Sequence, residues 1–184
     1  MRVSLAATAA ILVTFACADQ PLTSPDALSV SPNFDANPVT DMVSAGSNDA
    51  CESAFGLPKG CDGNFSFHAN LREDGSVKGQ YQDTFAGGGL GVHATLDCLN
   101  IVGNGAVVGG VITNGTSPGQ GDVTGRRLLA AVVDNGKSAN DPADQISFSL
   151  FRPADEDPAF CQALVPEQFQ LFDLTTGQVT VKSK

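Results

Sequence analysis

The sequence predicts an all-β fold, an antiparallel barrel or sandwich of about eight short strands with one short helix. Three observations predict it. Short apolar–polar alternations recur from residue 64 to the end of the chain, the period of a half-buried strand. Turn signals rich in Gly, Asn and Asp separate them. The 184 residues include twenty Gly and ten Pro, which favours a turn-rich chain over a helical one. Hydrophobic residues make up 42 % and charged residues 16 %, so the chain has enough apolar material for a packed core and does not read as disordered.

Asn64 to Asn70 places Phe65, Phe67 and Ala69 on one face and Ser66, His68 and Asn70 on the other. Glu73-Asp74-Gly75-Ser76 follows. Asp-Gly is a strong hairpin signal, and the expectation is a type I′ turn with positive φ at both centre residues. Val77 to Phe85 is then the return strand. Gly87-Gly88-Gly89 breaks the chain, and Gly91 to Val102 is the next strand, with Val92, Ala94, Leu96 and Cys98 inward. A second hairpin centres on Gly103-Asn104-Gly105, with Ala106 to Thr113 returning. Residues 114–125 read as a loop. Arg126 to Asp134 holds the apolar run Leu128 to Val133, long enough for both faces to be covered. Asn135 to Ala143 is a polar loop.

Ile146 to Phe151 alternates, with Ile146, Phe148 and Leu150 inward and the Phe151 end free to switch face. Asp157-Pro158 is a helix start, with Asp as N-cap and Pro at the first position. The helix Ala159 to Leu164 stops at Val165-Pro166. Phe169 to Leu174 and Gln178 to Val181 complete the strands around Thr175-Thr176-Gly177.

The beginning of the chain has another character. Arg2 precedes the uncharged apolar stretch Leu5 to Ala16. That stretch is too short to span a bilayer and suits the core of an export signal over residues 1–16. Thr14-Phe15-Ala16-Cys17 resembles the lipobox of bacterial lipoprotein precursors, which are cut before a Cys that receives lipid. Ala16 and Cys17 match it, while Thr14 and Phe15 depart from it. Ala16-Cys17-Ala18 also fits cleavage before Asp19 with plain secretion. Residues 17–48 are expected to be a disordered tether and residues 49–184 the β-domain.

Export puts Cys51, Cys61, Cys98 and Cys161 in an oxidising compartment, which favours two disulfides. Three connectivities exist, and the nearest-neighbour choice is Cys51–Cys61 with Cys98–Cys161. Such loops stabilise by roughly 3 and roughly 4 kcal/mol in the loop-entropy account. The spacing contains no C-x-x-C, so a zinc site is not expected.

The net charge is −10, which excludes nucleic acid and a polybasic membrane surface as partners. Two His are available. His93, Thr95 and Asp97 alternate onto one face of their strand, so His93 and Asp97 form a candidate acid–base pair. The plainer reading is an outward polar face, shared with His68 if the strands are neighbours. Neither His has a third metal ligand at a diagnostic spacing. No G-x-S-x-G elbow is present, and Gly87-Gly88-Gly89-Leu90-Gly91 is not a phosphate loop because no helix and Lys follow it.

The loop 134–144 concentrates oxygen ligands of the kind calcium takes, with Asp134, Asn140, Asp141 and Asp144 as candidates. It lacks the EF-hand spacing and closing Glu, and Asp, Asn and Gly make turns unaided. The expectation is therefore a turn, with no cofactor and no metal.

Four stretches carry a family resemblance: Phe65-Ser66-Phe67-His68-Ala69, Asp74-Gly75-Ser76-Val77-Lys78-Gly79-Gln80-Tyr81, Leu96-Asp97-Cys98-Leu99-Asn100-Ile101-Val102-Gly103-Asn104 and Val133-Asp134-Asn135-Gly136. Over roughly residues 63–150 the body resembles an uncharacterised family of exported bacterial β-domains. The resemblance implies the fold and export, and no activity.

The expected function is a non-enzymatic exported envelope β-domain used for binding or interaction, with an unknown envelope or extracellular partner. A small-ligand carrier with a hollow barrel is the alternative, lined by Phe65, Phe67, Tyr81, Phe85, Phe148 and Phe151. A hydrolase built on His93 and Asp97 is the third.

Overall fold

The computed structural model describes residues 37–48, 64–85, 89–137 and 140–184. The export signal, Cys17, Cys51 and Cys61 lie outside the described residues. Within them the chain forms β1 Val39–Asn48, β2 Asn64–Arg72, β3 Val77–Phe85, β4 Leu90–Val102, β5 Gly105–Ser117, β6 Gly121–Asp122, β7 Arg127–Val133, β8 Gln145–Ser147, β9 Leu150–Arg152, β10 Leu171–Asp173 and β11 Gln178–Ser183. Two 3₁₀ turns, Pro158–Ala163 and Pro166–Gln168, precede β10. The strands make one antiparallel sheet in the order β10-β8-β7-β5-β4-β3-β2-β1-β11, with β6 beside β5 and β9 beside β7. The sheet curls into a half-barrel.

The predicted alternation sets the faces. Phe65, Phe67, Tyr81, Leu96, Ile112 and Leu128 belong to one inner core, each large side chain contributing about 1.5–3 kcal/mol on burial. Phe67 and Tyr81 stack with ring centroids 5.5 Å apart. A second, smaller cluster lies on the opposite face of β4, β5 and β7: Cys98, Val107, Leu129, Ala131 and Cys161. The β7 run is thus covered on both sides, as its unbroken apolarity predicts.

A bulge in β4 creates that second cluster. Leu96 pairs with Gly110 and Cys98 with Gly109, leaving Asp97 without a cross-strand partner. Leu96 and Leu99 both enter the inner core, so Asp97 and Cys98 together face outward. The expected inward Cys98 is therefore corrected. It is buried, but against the first 3₁₀ turn, where it is bonded to Cys161.

Gly105 and Gly109 provide the flat floor for that segment. A Cβ on Gly105 would stand 2.6 Å from Pro166 Cγ, and one on Gly109 would stand 3.3 Å from Cys161 Cβ. Asp157 Oδ1 accepts the Ala159 N–H at 2.8 Å with Pro158 in the first position, as the capping signal predicts. The expected helix is a 3₁₀ turn instead, because Pro166 leaves too few residues for an α-helix to propagate.

Other expectations are also corrected. Residues 39–48, assigned to the tether, are β1, which pairs with β2 on one side and β11 on the other. Its inward residues Val43, Ala45 and Ser47 are small, so alternation is faint and the neighbouring strands decide. The loop 114–125 carries the end of β5 and all of β6. Ile146 to Phe151 divides into β8 and β9. Phe151 packs on the core while Leu150 is 48 % exposed.

The first hairpin also differs from a type I′ turn. Gly75 N–H bonds Arg72 O at 2.9 Å, so Glu73 and Asp74 are the centre residues and Gly75 (φ 80°) follows them.

The two end strands of the sheet, β10 and β11, are consecutive in the chain. β11 presents its outer edge to the segment after β7. There, Val181 N–H donates to Asp134 Oδ2 at 3.0 Å and Val179 N–H donates to Asp144 Oδ2 at 2.7 Å. Ser47 Oγ donates to Thr176 O, fastening the turn between β10 and β11 to β1.

A methyl at Gly110 would run into the Thr95 carbonyl oxygen. Gly110→Ala should lower unfolding stability by about 1–3 kcal/mol in urea denaturation. At the first hairpin, hydrogen bonds from the Ser76 side chain and then the Asn37 side chain, with the Ser76 N–H, lower the Asp74 carboxyl to about 2. Its contribution is present above the ordinary carboxylate range and is lost as pH falls through about 2. A carboxyl-carbon NMR titration should find that midpoint, and Ser76→Ala should move it upward.

Candidate functional site

Alternation on three adjacent strands sends polar residues to the outer face of the sheet. The register then fixes their neighbours. His68, Gln80 and Thr95 form one row across β2, β3 and β4, and Ser66, Gln82 and His93 form the next. All six are exposed. They line a groove of about 360 Å³ together with Thr113. A wider hollow of about 710 Å³ shares His68, Gln80 and Thr95 and reaches Lys78 and Asp97.

Thr113 is the extra residue of a second bulge, where His93 pairs with Asn114 and Ala94 with Ile112. Its Oγ1 donates to His93 O at 3.1 Å, fixing the strand beneath the imidazole. The side chains of Ser66, His68, Gln80, Gln82, His93 and Thr95 make no hydrogen bond to another described residue. Their donors and acceptors face the groove and solvent.

The structure brings both His to one surface, in adjacent rows with β3 between them. It does not bring His93 and Asp97 into an acid–base pair. Arg127 Nη1 and Nη2 hold the two Asp97 oxygens at 3.2 and 2.5 Å. The bulge at Asp97 turns the carboxylate toward this buried Arg.

The calcium candidates have other work. Asp134 Oδ1 accepts Gly136 N–H at 3.2 Å, Asp144 Oδ1 accepts Asn135 N–H at 2.8 Å, and Asp141 Oδ2 accepts Lys137 N–H at 3.0 Å. The second oxygens of Asp134 and Asp144 hold β11. Asn140 is exposed in the turn. These bonds are the local turn chemistry of Asx residues. Among the described residues no group of three His, Cys, Asp or Glu stands together as a metal site.

The expected interior lining divides in the same way. Phe65, Phe67 and Tyr81 are buried core, and Phe85, Phe148 and Phe151 pack against it. At the rim, Phe65, Tyr81, Phe148 and Phe172 surround a space of only about 20 Å³, scarcely one water. Sequence reasoning missed the cluster beside it. Tyr81 Oη lies 2.7 Å from Ser149 Oγ, and both hydroxyls donate to Asp83 Oδ2, at 3.1 and 3.2 Å. Tyr81 and Asp83 share a strand face, which was legible. Ser149 arrives from 68 positions away, which was not.

Comparison with protein-family models, curated proteins and solved structures finds no match to the chain.

Because the carboxylates of 134–144 serve the fold, thermal unfolding should have the same midpoint in excess chelator and in millimolar calcium. Asp144→Ala should cost about 1–3 kcal/mol in both conditions. A calcium-dependent rise that vanishes in Asp144→Ala would make the loop a metal site instead.

Proposed function

We propose that the chain is a non-enzymatic, exported β-domain that binds an envelope or extracellular partner through the outer face of β2, β3 and β4. One observation carries this reading. The groove on that face is lined by exposed hydrogen-bonding side chains that no other part of the described structure uses. Binding surfaces are depleted in charge at their centre, and Ser66, His68, Gln80, Gln82, His93 and Thr95 include no carboxylate, ammonium or guanidinium. The narrow space at the rim of the inner core favours this face over a hollow interior as the place where a ligand sits.

Export rests on other features. The apolar stretch before Cys17 supports a signal peptide, and Cys17 would carry the lipid of an envelope anchor or lie at the start of a released chain. The Cys98–Cys161 disulfide supports an oxidising compartment. The resemblance to exported bacterial β-domains points the same way.

The reading predicts that the full chain carrying Cys17→Ser, which removes any lipid, co-sediments with envelope material from the cells that make it. Gln82→Ala with His93→Ala should leave the chain in the supernatant at an unchanged melting temperature, because both residues are exposed. Wild-type-like sedimentation of the double variant would remove the face from the interaction. Failure of the Cys17→Ser chain to sediment would remove the binding reading.

A further inference from the structure

The outer face has a chemical bias beyond its lack of charge at the groove. The side chains at its centre can both donate and accept: the hydroxyls of Ser66 and Thr95, the amides of Gln80 and Gln82, and the two ring nitrogens of His68 and His93. Carboxylates only accept, and ammonium and guanidinium groups only donate. A face composed in this way is matched by a ligand whose own groups do both. Sugar hydroxyls are such groups. We propose that the groove binds a neutral oligosaccharide, an assignment that rests on the binding reading above and names its ligand class.

Three further observations favour this ligand over others. A phosphate-rich or acidic polymer offers mostly acceptors and needs cations, yet among the described residues Lys78 is the one Lys or Arg lining the two hollows, and the chain carries a net charge of −10. An extended peptide is recognised by main-chain bonds at a sheet edge, whereas this groove lies on the face of interior strands. β3 is paired on both sides, and so are β2 and β4. Finally, the groove and the wider hollow share His68, Gln80 and Thr95 in their linings, so the polar rows extend along the sheet face. A polar face that extends in this way suits several linked sugar rings better than a single small molecule.

The side chains stand on fixed rows of a sheet rather than on loops, so little backbone ordering opposes binding. Among the described residues no exposed aromatic side chain lines the groove: Phe67 and Tyr81 contribute from the buried side of the sheet. Recognition is therefore by hydrogen bonding to hydroxyls rather than by stacking. Its affinity should depend little on ionic strength, because no ion pair forms.

The test uses the full chain with Cys17→Ser, the same envelope material, and a panel of neutral oligosaccharides of glucose, mannose, galactose and N-acetylglucosamine. At least one oligosaccharide should shift the ring signals of His68 and His93 in NMR spectra, with equal affinity at low and high salt. Gln80→Ala with Gln82→Ala should weaken that binding at least about tenfold. The oligosaccharide that shifts those signals, added in excess, should also displace the chain from the envelope material. Retention that no oligosaccharide of the panel displaces, together with silent His signals across the panel, would overturn the saccharide assignment and leave the binding reading standing. Tighter binding to polygalacturonate than to any neutral sugar, weakened by salt, would also overturn it. Absence of retention on untreated material would instead overturn the binding reading.

Discussion

A curled sheet that does not close by backbone pairing leaves a last strand with a row of amide groups facing outward, and such an edge invites pairing with another chain. Here that strand is β11, and carboxylates answer the problem. Asp134 and Asp144 each present one oxygen to a β11 N–H and the other to an N–H of their own segment. The same two residues therefore shape the turn after β7 and cap the edge. β10 and β11, the two ends of the sheet, are also tied by the short chain between them. The position of the inner core, and with it the exposure of the outer face, depends on this seam holding the curl.

The bulge at Asp97 is the second organising feature. One additional residue puts two consecutive side chains on the outer face of β4. Asp97 takes the buried Arg127, and Cys98 takes Cys161. The disulfide and the 3₁₀ segment cover the outer face toward one end of β4, β5 and β7. The other end, toward β2 and β3, keeps its polar rows open. One face of a single sheet is thus divided into a covered apolar part and an open hydrogen-bonding part.

Much of this was legible in the sequence because strong local signals agreed with the tertiary structure. The alternation of β2, the Asp157-Pro158 cap and the two-sided burial of β7 all follow from short patterns. The shared face of His93, Thr95 and Asp97 is equally readable. What escaped depends on residues far apart. β1 has small inward residues, and two neighbours rather than its own propensity make it a strand. The bulge at Asp97 leaves no mark in composition, yet it reverses the face of Cys98. The carboxylates of 134–144 read as turn formers, which they are. Their bonds to Val179 and Val181 could not be seen before β11 was placed beside them. The groove was half visible: the pattern gave Ser66 and His68 on one strand and His93 and Thr95 on another, while Gln80 and Gln82 went unremarked and the rows required the register.

The pairing of β1 with β11 has a kinetic meaning. The first and last strands of the described sheet lie side by side, so one edge of β1 lacks its native partner until the carboxyl-terminal strand has been made. Contacts between such distant segments carry a large loop-closure entropy and slow the approach to the native state. β1 to β5 pair with their neighbours in sequence, whereas the β1–β11 seam is completed only once the last strand has been made. Until that strand arrives, the open edge of β1 is a place where a strand of another chain can pair in its stead.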